Sequence, residues 1–176
     1  MTATISITES ALLTALRAFL LGIVAGEVIR AQGNRAAMPV GDFCTMTPLF
    51  VTGLSTNRVT YTDPGSNPGT GNNGRSSRWD CQLDFYGPSA ADHAATVATL
   101  IRTDYACEQF AASGVDMQPL YAGEPKQTTL INAEQQFENR WTVEFSAQFN
   151  PVVSTPQDFA AALTVAPASV DARFPT

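Results

Sequence analysis

The sequence predicts an α+β fold, a mostly antiparallel β-sheet with about two main helices packed on one of its faces. Three observations lead to this prediction: a helical repeat of apolar residues near the N-terminus, strict two-residue alternation in two later segments, and a second helical stretch between those segments. The chain of 176 residues contains no internal repeat, and its length is that of one ordinary domain. We therefore expect a single domain over residues 1–176.

The first predicted element is an amphipathic helix over residues 8–21. Apolar residues recur at helical spacing from Leu12 to Ile23, and Ser6-x-x-Glu9 has the form of a capping box. Two glycines then weaken the helical pattern, and Glu27–Arg30 alternates polar with apolar residues. This alternation favours a short strand, with a helix continued to Ala31 as the alternative.

Two strands are predicted next, over residues 43–51 and 57–62, and their closeness in sequence indicates an antiparallel pair joined near Gly53. Residues 63–77 follow, with the sequence DPGSNPGTGNNGRSS. Because this stretch is rich in turn-forming residues and has nothing apolar to bury, we expect a flexible loop. Its unusual length suggests a use in assembly.

Residues 78–85 alternate between apolar and polar side chains without exception, which predicts a strand with one buried and one solvated face. Asp80 and Asp84 fall on the polar phase. They are interpreted as solvent-exposed, because their spacing along a strand is too wide for a pair of glycosidase carboxylates.

A second helix is predicted after this strand, with Ser89 as its cap and Asp92 in its first turn. Its inner stripe is expected to consist of Ala90, Ala94, Val97, Ile101 and Tyr105.

The longest alternating segment is residues 136–149, where every even position is polar and Asn139 is the lone polar residue at an odd position. We expect one strand at the centre of the sheet, with its aromatic residues in the core and not stacked on bases or sugars. Pro151 and Pro156 interrupt the pattern, and residues 157–163 predict one short helix.

Charge and hydropathy exclude two classes of function. Sixteen acidic residues oppose ten basic ones, and a formal net charge of −6 argues against a protein that grips nucleic acid through its phosphates. No apolar run approaches the ~20 residues of a membrane-spanning helix. The N-terminus lacks the positive charges of an export signal, so we expect neither membrane association nor export.

Motifs for catalysis or cofactor binding are missing from the sequence. His93 stands alone in an alanine-rich helix without a partner nucleophile, and the glycine-rich loop lacks the lysine and the following helix of a phosphate-binding loop. Cys44, Cys81 and Cys107 cannot complete a zinc site with His93. These cysteines are expected to be small buried hydrophobes, with a bridge between subunits as the alternative. We therefore expect no enzymatic activity, no metal and no cofactor.

Several short segments occur in an order and spacing that resemble a known family. They are Val28-Ile29-Arg30-Ala31-Gln32-Gly33-Asn34-Arg35, Met38-Pro39, Gly41-Asp42-Phe43, Leu83-Asp84-Phe85-Tyr86-Gly87, Pro119-Leu120-Tyr121, Gln136-Phe137-Glu138-Asn139-Arg140-Trp141, Pro156-Gln157-Asp158-Phe159 and Val170-Asp171. Together they resemble the phage neck terminator or tail terminator family over almost the whole chain. The resemblance implies a tail-terminator-like α+β fold and brings no catalytic residue with it.

The resemblance also implies a structural role in the phage particle, in the neck between head and tail, for a protein made in the host cytoplasm. The expected assembly is a homo-oligomeric ring of six subunits that terminates the tail tube, joins it to the head-tail connector or another neck protein, and leaves a channel for DNA. The tail sheath is a further candidate partner. Two alternatives are another head-tail joining or tail completion subunit, and a small-ligand-binding domain.

An acidic subunit suits such a channel, because a negative wall lets DNA pass without specific binding. The candidate assembly contacts are polar residues of the predicted loops, namely Asn34, Arg35, Asn67, Asn72, Asn73 and Arg75.

Overall fold

The computed structural model describes residues 2–33, 38–66, 68–131, 135–160 and 164–166, and it confirms the α+β class. Within these residues the helices are α1 (Glu9–Leu21), α2 (Ala90–Leu100) and α3 (Asp104–Ala112). The strands are β1 (Thr4–Ile5), β2 (Glu27–Arg30), β3 (Phe43–Gly53), β4 (Arg58–Thr62), β5 (Gly69–Gly74), β6 (Ser77–Tyr86), β7 (Met117–Ala122), β8 (Lys126–Gln127), β9 (Leu130–Ile131), β10 (Phe137–Glu138), β11 (Arg140–Phe149) and β12 (Val152–Gln157).

The strands form a main sheet, a second sheet and a small two-stranded sheet. The main sheet has the order β2-β3-β6-β11-β7, and β8 pairs with Trp141 and Thr142 on the same edge of β11 as β7. Strand β2 is parallel to β3, and the other pairs of the main sheet are antiparallel. The second sheet has the order β1-β12-β5-β4 and is antiparallel throughout, while β9 pairs with β10.

The hydrophobic core lies between the main sheet and the helices. The odd-numbered residues of β6 are buried in it, as the alternation predicts; they are Trp79, Cys81, Leu83 and Phe85. Phe145 of β11 stacks on Phe110 of α3 with ring centroids 5.8 Å apart, and Phe110 stacks on Phe19 of α1 at 5.1 Å. These aromatic contacts join a strand and two helices in one core.

Helix α1 begins where the sequence predicts, but the predicted capping box is wrong. Thr8 is the N-cap, and its hydroxyl accepts a hydrogen bond from the Ala11 amide at 3.2 Å. The Ser6 hydroxyl accepts instead from the Val152 amide at 2.9 Å, which ties the chain start to β12. The residues after the helix form strand β2, as predicted, and not a continued helix.

The predicted pairing of residues 43–51 with residues 57–62 is wrong. Strand β3 pairs with β2 and β6, whereas β4 pairs with β5 in the second sheet. The loop prediction is wrong as well, because Gly69–Gly74 is a strand inside residues 63–77. Its backbone pairs with β4 on one side and β12 on the other, so ladder hydrogen bonds replace the missing apolar side chains.

The second predicted helix is divided into two. Helix α2 ends at Leu100, and Tyr105 lies in the separate helix α3 with 39% of its surface exposed. The prediction of Tyr105 in the inner stripe is therefore wrong, while Ala90, Ala94, Val97 and Ile101 are buried as expected.

The predicted strand over residues 136–149 is interrupted at Asn139, the residue that breaks the alternation. Strand β11 is interior to the main sheet, between β6 on one side and β7 with β8 on the other, and β6 is the middle strand. Strand β10 leaves this sheet for β9, so Phe137 is 80% exposed where the alternation predicts burial.

No helix is present after β12 in the described part of residues 157–163. Gln157 is the last residue of β12, residues 158–160 are irregular, and residues 161–163 lie outside the described ranges. Pro156 does not end the strand pattern, since it lies inside β12 opposite Thr70.

The burial of Phe145 predicts that Phe145→Asp abolishes folding, while Glu144→Gln leaves the protein folded. The first variant places an unpaired carboxylate in the core, at a cost of several kcal/mol, comparable to the total stability of a domain. Glu144 lies on the opposite face, and its side chain is 60% exposed in an ion pair with Lys126. Circular dichroism melting of both variants checks this, and equal melting temperatures would contradict the assignment of the two faces.

Candidate assembly surfaces

Among the described residues, the structure assembles no cluster of metal-binding groups. His93 is partly exposed on α2, and no three His, Cys, Asp or Glu side chains in the described ranges are placed to hold a metal ion. In the same ranges no helix is long and apolar enough to cross a membrane. The features that stand out are polar contacts on the sheet and exposed strand edges.

Two of the three cysteines are buried, and the third is not. Burial raises the pKa of the Cys81 thiol to about 12 and that of Cys44 well above its usual value, and the nearby Asp84 carboxylate raises both further. Both thiols therefore stay protonated and unreactive at neutral pH. Cys107 is exposed on α3, so the prediction of a buried residue is wrong there.

A buried carboxylate occupies the middle of the main sheet, on the face opposite the helices. Asp84 is 2% exposed and accepts hydrogen bonds from Gln82 at 2.8 Å, Thr142 at 2.6 Å and the guanidinium of Arg140 at 3.0 Å. The interpretation of Asp84 as solvent-exposed is wrong, because side chains of Gln82 on β6 and of Arg140 and Thr142 on β11 surround its carboxylate. These donors satisfy the carboxylate, which makes it a structural group.

Asp80 lies four residues before Asp84 on β6, on the same face of the strand. It is 8% exposed, pairs with Arg78 at 2.9 Å, and accepts a hydrogen bond from the Ser146 hydroxyl of β11. The solvated interpretation is wrong here too. The two carboxylates on the polar phase of β6 are therefore hydrogen-bonded and ion-paired to side chains of β6 and β11.

Segments that carry the family resemblance meet at one end of the main sheet. Ser89 is the N-cap of α2, as predicted, but its side chain makes no capping hydrogen bond, and its amide donates to the Asp42 carboxylate at 2.9 Å. Gly87 has a φ of +97°, and a Cβ there would lie 2.4 Å from the Asp42 carboxylate. The Asn139 amide donates to the Gly87 carbonyl at 3.2 Å. The positive φ and the close approach of Asp42 together require glycine at position 87.

The second sheet has two open edges within the described residues. Strand β4 pairs on one side only, with β5, and all five of its residues are exposed. Strand β1 pairs on one side only, with β12, and both of its residues are exposed. Open edges present unpaired backbone donors and acceptors that another strand can bind.

One face of the second sheet carries exposed apolar side chains. The register places Ile5, Val153, Asn73 and Val59 in one straight row across the four strands. Ile5 is 51% exposed, Val153 37% and Val59 48%, and Tyr61 on the same face of β4 is 63% exposed. Such a row is typical of a surface that binds another protein.

Phe159 packs on this face at its β4 end. Its ring lies edge-on to the Tyr61 ring with centroids 6.3 Å apart. A Cβ at Gly69 would fall 2.0 Å from the Phe159 ring, so glycine in β5 leaves the space that the ring fills. The chain after β12 is thus held against the second sheet, and the rest of the row stays uncovered by described residues.

Three of the six predicted assembly contacts lie outside the described residues, and the other three lie in or just after strand β5. Asn34, Arg35 and Asn67 lie outside the described residues. Asn72 binds inside the sheet, where its amide donates to Thr62 at 3.1 Å and its oxygen accepts from Ser154 at 2.7 Å.

The remaining two predicted contacts have different surroundings. Asn73 lies in the apolar row, between Val59 and Val153. Arg75 donates to the Ser55 carbonyl at 3.2 Å and fills the space beside Gly53, where a Cβ would lie 1.8 Å from its guanidinium. Arg75 therefore holds the base of the β4–β5 hairpin. Asn73 is the described candidate assembly contact that lies on the same face as the exposed apolar side chains.

Sequence reasoning missed two features of these surfaces, the exposed apolar face of β4 and the ion pair between Asp84 and Arg140. Val59 and Tyr61 alternate with polar residues, which predicts a strand but not the sheet that it joins or the exposure of its apolar face. Asp84 and Arg140 both lie in segments that carry the family resemblance, but only the pairing of β6 with β11 brings their side chains together.

The Asp84 contacts predict that Asp84→Ala lowers the stability by roughly 3–5 kcal/mol, because removal of one partner leaves Arg140 and Thr142 uncompensated. The matched control is Glu124→Ala, which removes an ion pair with side chains 44% and 80% exposed and should cost less than ~1 kcal/mol. Urea unfolding measures both values. Similar losses for the two variants would contradict the structural role of Asp84.

The cysteine environments predict that a thiol reagent modifies one cysteine per folded chain and all three after unfolding. Cys107→Ser should remove the reactivity of the folded protein and leave two thiols in the denatured protein. Mass spectrometry after maleimide treatment counts the adducts. Modification of Cys44 or Cys81 in the folded chain would contradict the burial described above.

Comparison with curated proteins finds no match. A family model described as phage neck terminator protein matches residues 10–171, which includes α1 from its second residue, the other two helices and the strands from β2 to β12. The match covers most of the chain and agrees with the resemblance of the short segments. The chain therefore belongs to the phage neck terminator protein family.

Proposed function

We propose that the protein forms a ring of six copies that closes the end of the phage tail tube and joins it to the head-tail connector. The family match over residues 10–171 carries this proposal, since a neck terminator is a structural protein of the head-tail junction. The ring, its six copies and its named partners are the proposed part. The partners are the tail tube protein and a connector or other neck protein, with the tail sheath as a further candidate.

The division of the molecule into two sheets supports an assembly function. The main sheet buries one face under the helices and pairs the Asp84 and Asp80 carboxylates on the other face. The second sheet exposes strand edges and an apolar row. A ring requires complementary surfaces on the two flanks of each subunit, and the second sheet offers edges on both of its sides.

The charge of the chain supports a channel through which DNA passes without specific binding. The formal net charge is −6, so repeated copies surround the channel with negative charge. DNA phosphates are repelled by such a surface, and tight binding through counterion release is not available to it. A neck component that the genome must cross benefits from this property.

Attachment to the tail tube is proposed to depend on many weak contacts made at once. Each subunit offers modest surfaces, and a ring presents the same surface several times to a tube of matching symmetry. Linked contacts raise the overall affinity far above that of one subunit. Asn73, on the outward face of the second sheet, remains a proposed contact residue, as do Asn34, Arg35 and Asn67.

The proposal predicts that a phage without this gene makes heads and tails that fail to join, or tails of uncontrolled length. Electron microscopy of lysates from a deletion mutant measures both outcomes, and a plasmid copy of the wild-type gene should restore joined particles. Normal-length tails attached to filled heads in the mutant lysate would rule out the terminator function.

A further inference from the structure

We propose that strand β4 of one copy pairs with strand β1 of the next copy, so that the second sheets of neighbouring subunits join edge to edge. The occupant of the open β4 edge is thus a second copy of this chain. The inference rests on the proposed ring and adds the strands that hold it together.

The β4 edge lacks most of the features by which proteins protect an open strand. It contains no proline, its pairing with β5 has no register shift, and its single charge is on its first residue, Arg58. The outer strand β7 of the main sheet differs, since it contains Pro119 and its pairing with β11 shifts between Ser146 and Ala147. An unprotected edge with exposed Val59 and Tyr61 is a hazard for aggregation unless a partner strand covers it.

The strand directions of the second sheet permit repeated addition of identical copies. Within the described residues all of its pairs are antiparallel and its strands number four, so its two outer strands β1 and β4 run in opposite directions. When β4 of one copy lies beside β1 of the next, the new pair is antiparallel as well. This head-to-tail contact uses different edges of each copy, which is the kind of contact that closes into a ring.

The register of the second sheet also predicts which residues meet at the new junction. Thr4, Ser154, Asn72 and Thr60 form one straight row, next to the row that ends in Ile5 and Val59. Continued across the junction, these rows place Thr60 opposite Thr4 of the next copy. They also place Val59 opposite Ile5, so that two exposed apolar side chains cover each other.

A pairing of β4 with β4 of another copy would also be antiparallel, but it leads to a different assembly. That contact uses the same edge twice, so it stops at two copies and leaves both β1 edges open. The same cross-linking experiment distinguishes the two arrangements.

The experiment introduces cysteines at Thr4 and Thr60 in a Cys107→Ser background and oxidises phage particles assembled with the variant chain. Cβ atoms of opposite residues in an antiparallel pair are close enough for a disulfide. Non-reducing gels of the double variant should show a ladder of cross-linked species up to the full ring, while each single variant remains monomeric.

Three outcomes would overturn the inference. Dimers formed by the Thr60→Cys variant alone would indicate β4–β4 pairing. Absence of a ladder in particles that contain a ring of the expected mass would show that the ring uses other surfaces, and the proposed function would stand. Absence of any ring in native mass spectrometry of the isolated necks would overturn the proposed function together with the inference.

A charge substitution on the same edge provides an independent test. Because the Val59 side chain is exposed, the purified Val59→Lys chain should melt within a few degrees of wild type. Its incorporation into particles should fall at least tenfold, because the charge lies at the proposed junction. The control is Ala95→Lys, an exposed position on α2 outside the second sheet. Equal incorporation of the two variants would count against a contact at β4.

Discussion

Strand β6 is paired along its whole length on both sides, and the rest of the molecule depends on this constraint. All residues from Ser77 to Tyr86 lie opposite residues of β3 and of β11. A strand with neighbours on both sides must satisfy whatever its side chains carry on each face. The apolar face is covered by the helices, and the polar face is satisfied by side chains of β6 and β11.

The polar face explains why charged residues occupy the middle strand of the sheet. A buried carboxylate is tolerated only when it is paired and hydrogen-bonded, and Asp84 meets both conditions through Arg140 and Thr142. Each donor comes from a residue whose register relative to Asp84 is fixed by the β6–β11 ladder. The network therefore favours one register, since a slip of one residue would separate the charges and expose the apolar phase.

The second sheet differs from the main sheet because its outer strands β1 and β4 are exposed and paired on one side only within the described residues. This difference is relevant to a neck terminator, which acts in an assembly. The inner strand β5 of the second sheet consists of glycine, asparagine and threonine. Backbone pairing is the main force that holds such a sheet, so additional pairing at its edges would stabilise it further. A subunit that is complete in one sheet and open in the other suits a protein whose final structure is an assembly.

The sequence predicted the parts of the fold that depend on local periodicity. Residues of α1, β6 and β11 repeat at 3.6 or 2 positions over a long stretch, and their buried faces follow from that pattern. Strand β5 could not be predicted, because glycine and asparagine have low strand propensity and β5 exists only through pairing with β4 and β12. The exposed row could not be predicted either, because the pairing partner of the strand that carries Val59 and Tyr61 is set by long-range topology.

Hydrogen-deuterium exchange of the isolated subunit and of the assembled neck tests the central claim most directly. The claim is that the main sheet is complete in the single chain, whereas the second sheet is completed by neighbouring copies. Amides of β6 and β11 should exchange slowly and equally in both states, while amides of β4 exchange rapidly in the isolated chain and slowly after assembly. Rapid exchange of β4 in the assembled neck, or strong new protection of β6 on assembly, would contradict the claim.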